Sequence, residues 1–144
     1  MNSSHEPIIT VLTKQAAQLD TLLLLLKNEL SALAERQVET LEQIIAEKTA
    51  LLTQISATDA ELAALPQLAA VKTAAWFVEQ RALLEHKLAD CKAQTVVNQQ
   101  ALEQSQLILQ RFKNELLGAK GKSGLTYTSK GQPAVENKGP GIKA

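Results

Sequence analysis

The sequence predicts an all-α protein: an antiparallel long-helix hairpin or bundle with a short helical corner and a flexible C-terminal tail. Three observations predict it. The chain is rich in Leu, Ala, Gln, Glu and Lys, side chains that lose little freedom in a helix. Its apolar residues recur at steps of three and four. Gly, Pro and the β-branched and aromatic residues that sheets draw on are scarce before residue 118.

The elements follow in order. Ser3 and Glu6 have capping-box spacing, and Pro7 suits a first turn because it has no N–H to satisfy. From there a stripe runs Ile9, Leu12, Ala16, Leu19, Leu23, Leu26, Leu30, Leu33. It continues past Gln37 with Leu41, Ile44, Leu51 and Ile55. The two steps of four around Gln37 resemble a stutter, which unwinds a supercoil locally without breaking the helix. One helix is therefore expected over 7–57. Thr58 and Glu61 repeat the capping-box spacing, and Pro66 forbids an uninterrupted helix. Residues 56–67 read as a corner, with a short helical turn near 59–65. A second long helix, 70–117, carries Phe77, Leu84, Leu88, Cys91, Leu102, Leu109, Phe112 and Leu116, and should stop at Gly118, a residue suited to a left-handed C-cap. A short corner makes the two helices antiparallel. Beyond it, Gly, Lys, Pro133 and Pro140 replace large apolar residues, which gives too little burial to offset ordering entropy. The expected domains are a helical domain, 1–117, and a flexible tail, 118–144.

Composition argues against several function classes. Fifteen Lys and Arg balance fifteen Asp and Glu, so no excess of cations points to nucleic acid. The start, Met1 to Pro7, is polar and lacks a signal-peptide core. The apolar run Leu22 to Leu26 ends at Lys27, far short of the ~20 residues a membrane span needs, so no stable membrane insertion is expected. A single cysteine, Cys91, forms no internal disulfide and fits a reducing, cytoplasmic compartment. On the apolar stripe it behaves as a small hydrophobe rather than a nucleophile. His86 and Asp90 have the spacing of a metal pair but lack a third ligand. No Gly-rich loop precedes a helix to cradle a phosphate. No cofactor, metal or catalytic residue is expected, and the chain reads as a binding protein.

The second helix suggests what binds. Thr95, Asn98 and Ser105 interrupt its stripe, either fixing register or marking a seam left open. Val97, Ala101, Ile108 and Leu117 broaden it toward the C-terminal end, beyond what one partner helix covers. The expected client surface is Leu102, Ile108, Leu109, Phe112, Leu116 and Leu117, some of them also packing on the first helix. Its occupant is an amphipathic client segment or a second copy, the latter making the chain a self-associating coiled-coil adaptor or homodimer. In the tail, Tyr127 is the one aromatic and reads first as an incidental residue, with a recognition element that orders on binding as the alternative.

Several segments resemble the FlgN family of flagellar type III export chaperones. Leu30-Ser31-Ala32-Leu33, Val38-Glu39-Thr40-Leu41-Glu42 and Glu47-Lys48-Thr49-Ala50-Leu51-Leu52 are similar to the family's first helix. Cys91 followed by Asn98 resembles its cysteine-then-asparagine stretch, with Thr95 and Gln99 departing from the pattern. Leu125-Thr126-Tyr127-Thr128-Ser129-Lys130-Gly131 looks like its T-Y-x-x-x-G tail, and Ile142-Lys143-Ala144 is similar to its ending. The resemblance implies a cytoplasmic chaperone for bacterial flagellum biogenesis. It implies that the chain binds the hook–filament junction proteins FlgK and FlgL and delivers them to the export gate protein FlhA. Thr126 and Tyr127 would then dock on the gate.

Overall fold

The computed structural model describes residues 5–125, with side chains through 118. Four helices run in order: α1 (Glu6–Ala34), α2 (Val38–Ala63), α3 (Leu68–Val71) and α4 (Ala75–Leu125). Among the described residues there is no strand. The all-α class holds, and the arrangement is the bundle rather than a two-helix hairpin. The chain divides into two compact units, Met1–Leu102 and Glu103–Ala144.

The first unit departs from the expected single helix over 7–57. α1 stops at Ala34 and the chain reverses across Glu35, Arg36 and Gln37. The Gln37 N–H donates to the Ala32 carbonyl at 2.9 Å and the Arg36 N–H to the Leu33 carbonyl at 3.3 Å. Those two bonds form a Schellman motif, which needs a left-handed residue between cap and exit. Arg36 fills that position with φ 57. Gln37 then serves as N-cap of α2, its carbonyl accepting from the Leu41 N–H at 2.9 Å. The apparent stutter is a sharp turn.

α1 and α2 pack antiparallel. Lys14 meets Glu61 at 3.1 Å near their far ends, and Lys48 meets Glu29 at 2.8 Å near the turn. α4 runs alongside α1 in the same direction: Lys87 pairs with Asp20 at 2.7 Å, and Asn98 reaches the Leu26 carbonyl at 2.8 Å. The antiparallel neighbours thus lie within what the stripe suggested was one helix, and the unit is a three-helix bundle.

Other boundaries shifted for local reasons. α1 starts at Glu6 with His5 as its N-cap and no side-chain cap bond, and Ser3 of the expected capping box lies outside the described residues. Thr58 does not start a corner. It sits inside α2, 2% exposed, its hydroxyl donating to the Gln54 carbonyl and accepting from the Gln18 amide, both at 2.9 Å. A threonine satisfied four residues back has no need to cap. Pro66 does end the helix: α2 closes at Ala63, since the residue before proline avoids helical geometry. The short helix is 68–71 rather than 59–65. α4 does not stop at Gly118, which has no positive φ; it continues to Leu125.

Two apolar clusters hold the first unit. Leu19, Leu22, Leu26, Leu51 and Cys91 form one, with Leu23, Leu25, Ile55 and Leu84 packed against it. Ile8, Leu12, Val71 and Phe77 form the other at the base, joined by Leu62, Leu65, Leu68 and Trp76. The Trp76 ring contacts Phe77 edge-on at 5.9 Å and His5 at 5.3 Å. α1 is long and apolar enough by composition to cross a membrane. Its Leu19, Leu22 and Leu26 are instead buried in the bundle.

Candidate functional site

The polar interruptions of α4 decide which part of the helix the bundle uses. Cys91 and Asn98 lie seven residues apart on the buried side of α4. The Cys91 thiol donates to the Leu19 carbonyl at 3.5 Å, and the Asn98 amide donates to the Leu26 carbonyl at 2.8 Å. Leu19 and Leu26 are themselves seven apart, so one register is fixed twice. Asn98 also donates to Glu29 Oε1 at 2.9 Å and accepts from the Gln94 amide at 3.0 Å, while Glu29 Oε2 holds Lys48. The network ties α4 to α1 and α1 to α2. Asn98 is thus a satisfied register residue. Thr95 donates to the Cys91 carbonyl within its own helix at 2.9 Å.

Cys91 carries no activating environment. Burial pushes its thiol pKa up, and the carboxylates of Asp90 and Asp20 push it further the same way. A nucleophilic thiol needs the opposite shift. His86 Nε2 stands 3.8 Å from Asp90 Oδ2 with both side chains largely exposed. Among the described residues, no three His, Cys, Asp or Glu side chains are grouped to hold a metal.

The second unit offers something different. Its described part is the C-terminal portion of α4. There the large apolar residues face solvent: Ile108 is 52% exposed, Leu109 66%, Phe112 61% and Leu116 57%. At about 100° per residue these four fall within about 100° of arc, one continuous stripe. Leu117 is exposed on its flank, beyond Lys113. Leu107, which the sequence reading passed over, is exposed on another side of the helix. Leu102, the last residue of the first unit, is 37% exposed. Every residue of the expected client surface is therefore exposed. Thr126 and Tyr127 lie outside the described residues.

A third feature was not foreseen. On the first unit, a groove of about 410 Å³ opens between α2 and α4 above a floor from α1. Ile55 and Leu62 form one wall, Phe77, Leu84 and Leu88 the other, and Leu12 lies beneath. Only the helix reversal at Arg36 brings α2 opposite α4, which is why a two-helix reading could not find it.

Buried polar groups thus hold the three-helix unit in register, and the C-terminal portion of α4 exposes an apolar stripe of the kind that helix-binding proteins present. A family model described as FlgN protein matches residues 1–134. The chain belongs to the FlgN family, which is a family of flagellar export chaperones. No match to the chain was found among curated proteins or among solved structures.

Proposed function

We propose that the chain is a cytoplasmic chaperone for hook–filament junction proteins of the FlgK and FlgL type, holding them through the apolar stripe of α4 and delivering them to FlhA. The observation that carries the reading is the stripe itself. Ile108, Leu109, Phe112 and Leu116 are each more than half exposed on one side of one helix, an arrangement suited to packing against an amphipathic partner helix. Leu102 and Leu117 extend the same surface at its edges. The client need only be held moderately, since ordering a disordered segment opposes binding and so permits release.

In this account the helical domain, 1–117, retains the client while the tail, 118–144, presents Thr126 and Tyr127 to the gate. Tyrosine offers a large contact area with few rotamers to freeze, which suits a weak, releasable anchor. Tyr127→Ala should weaken binding to the FlhA cytoplasmic domain while leaving client affinity and melting temperature unchanged. The two binding constants are to be measured on one preparation; equal loss of both, or undiminished gate binding, contradicts the delivery role.

The same stripe would serve a self-associating coiled-coil adaptor or homodimer. Solution mass with and without a FlgK-type terminal segment separates the readings. A chaperone gains the mass of its client, whereas an adaptor is oligomeric alone and indifferent to the segment.

A further inference from the structure

Gly118 answers to no structural demand. It lies inside α4 without the positive φ that calls for glycine. Nothing stands within 4 Å of the place its Cβ would occupy. Neither backbone conformation nor a close approach therefore requires it. An alanine there would favour the helix about four- to fivefold more. Gly121 and Gly124 follow at steps of three within the same helix. Lys120 and Lys122 complement the helix dipole, which offsets part of the cost of the three glycines.

This end of α4 has little else to hold it. Every residue from Gln106 to Gly118 is exposed. Earlier in the helix, Cys91 and Asn98 are buried and bonded to α1. The bond from the Gln110 amide to Asn114, at 3.1 Å, stays within the helix. Most helical stability in proteins comes from packing an apolar face, and here that face is bare. The preceding turns of α4 spare the segment the cost of nucleation, so each further turn is near balance between helix and coil. The stripe itself exists only as helix. Ile108, Leu109, Phe112 and Leu116 share a side at about 100° per residue and scatter in coil.

We propose that residues 106–118 form a helix–coil switch that the client closes. In the free chain the segment exchanges between helix and coil, and binding draws it into helix. The proposal rests on the chaperone reading above and adds that the chaperone, as well as its client, orders on binding. Apparent affinity is then the intrinsic affinity multiplied by the helical fraction of the free chain. Glycine at 118 keeps that fraction low, which limits affinity and lets the stripe disperse once the client leaves. A dispersed stripe also offers a second copy no continuous apolar face.

The test uses the full chain. In hydrogen exchange without client, amides of 106–118 should be slowed less than about tenfold relative to an unstructured peptide, and those of 85–98 far more. Adding client should protect 106–118. The second arm is isothermal titration with a full-length FlgK-type protein. Gly118 and Gln110 lie outside the arc of the stripe, so changes there leave its side chains intact. Gly118→Ala should tighten binding about two- to fourfold, and Gln110→Gly should weaken it by a similar factor, with the melting temperature of the bundle unchanged. A helix already complete in the free chain would give neither change, because each substitution would then act equally on the free and bound forms. Protection of 106–118 equal to that of 85–98 without client overturns the proposal; if that protection falls on dilution, a second copy does the ordering. Equal affinities for Gly118→Ala, Gln110→Gly and the unaltered chain also overturn it, and leave the chaperone reading in place. No binding by the unaltered chain removes the chaperone reading and the proposal with it.

Discussion

Asn98 is a buried polar residue on an otherwise apolar face of α4. Its amide bonds to the Leu26 carbonyl and to Glu29, and its oxygen accepts from Gln94. An apolar side chain there would pack as well in several registers; an asparagine packs well in one. Asn98→Ala should lower the unfolding free energy by about 1–3 kcal/mol, the cost of removing a buried hydrogen-bonding group. Urea melts measure it, and an unchanged midpoint would show the network to be incidental. Cys91 makes the matching contact at Leu19, and its raised thiol pKa links it to pH. The folded state favours the neutral thiol more than the unfolded state does. That contribution is fully present below the ordinary thiol range, about 8.5, and is lost as pH climbs through the raised value. The stability difference between the unaltered chain and Cys91→Ala should therefore narrow as pH rises above the ordinary thiol range. A difference constant with pH contradicts the linkage. The sequence showed both residues on the stripe but left open whether Asn98 fixed register or marked an open seam. Side-chain bonding to a carbonyl on another helix leaves no trace in spacing.

At the scale of the elements, legibility depended on how a helix ends. Pro66 was read correctly because its ring and missing N–H act on the chain locally. The turn at Arg36 was missed because a Schellman exit usually shows a glycine, and here an arginine bears the left-handed conformation. The apolar spacing offered no warning: Leu33 and Leu41 are half-buried on either side of the turn in the same rhythm a continuous helix would show. Thr58 misled in the opposite sense, since a capping residue type can sit inside a helix when its hydroxyl finds a carbonyl four residues back. The turn predicts its own mutants. Arg36→Gly relieves a conformation that costs an L-residue roughly 1–2 kcal/mol, offset in part by glycine's freedom in the unfolded chain. It should leave stability unchanged or raise it by up to about 1 kcal/mol. Arg36→Val, branched at Cβ, should lower the melting temperature. Thermal melts that rank valine at or above glycine would show that the turn does not set the stability of the hairpin.

For the whole molecule, the all-α class and the family were both legible, because they rest on residue usage, period and motif. The three-helix arrangement and the base groove were not, because both depend on the single reversal at Arg36. Leu109, Phe112 and Leu116 are more than half exposed, so truncating them removes little buried area. A zero net charge adds no electrostatic barrier to self-association, so a bare stripe of this kind calls for a partner.

The stripe can be tested without confusing binding with folding. The decisive measurement is the dissociation constant of a FlgK-type client for the Leu109→Ala, Phe112→Ala, Leu116→Ala triple variant, with a circular dichroism melt on the same sample. Each anchor is expected to contribute on the order of 1–3 kcal/mol. The account predicts at least about a hundredfold loss of client affinity with the melting temperature unchanged. Full-strength binding by the folded triple variant would contradict it.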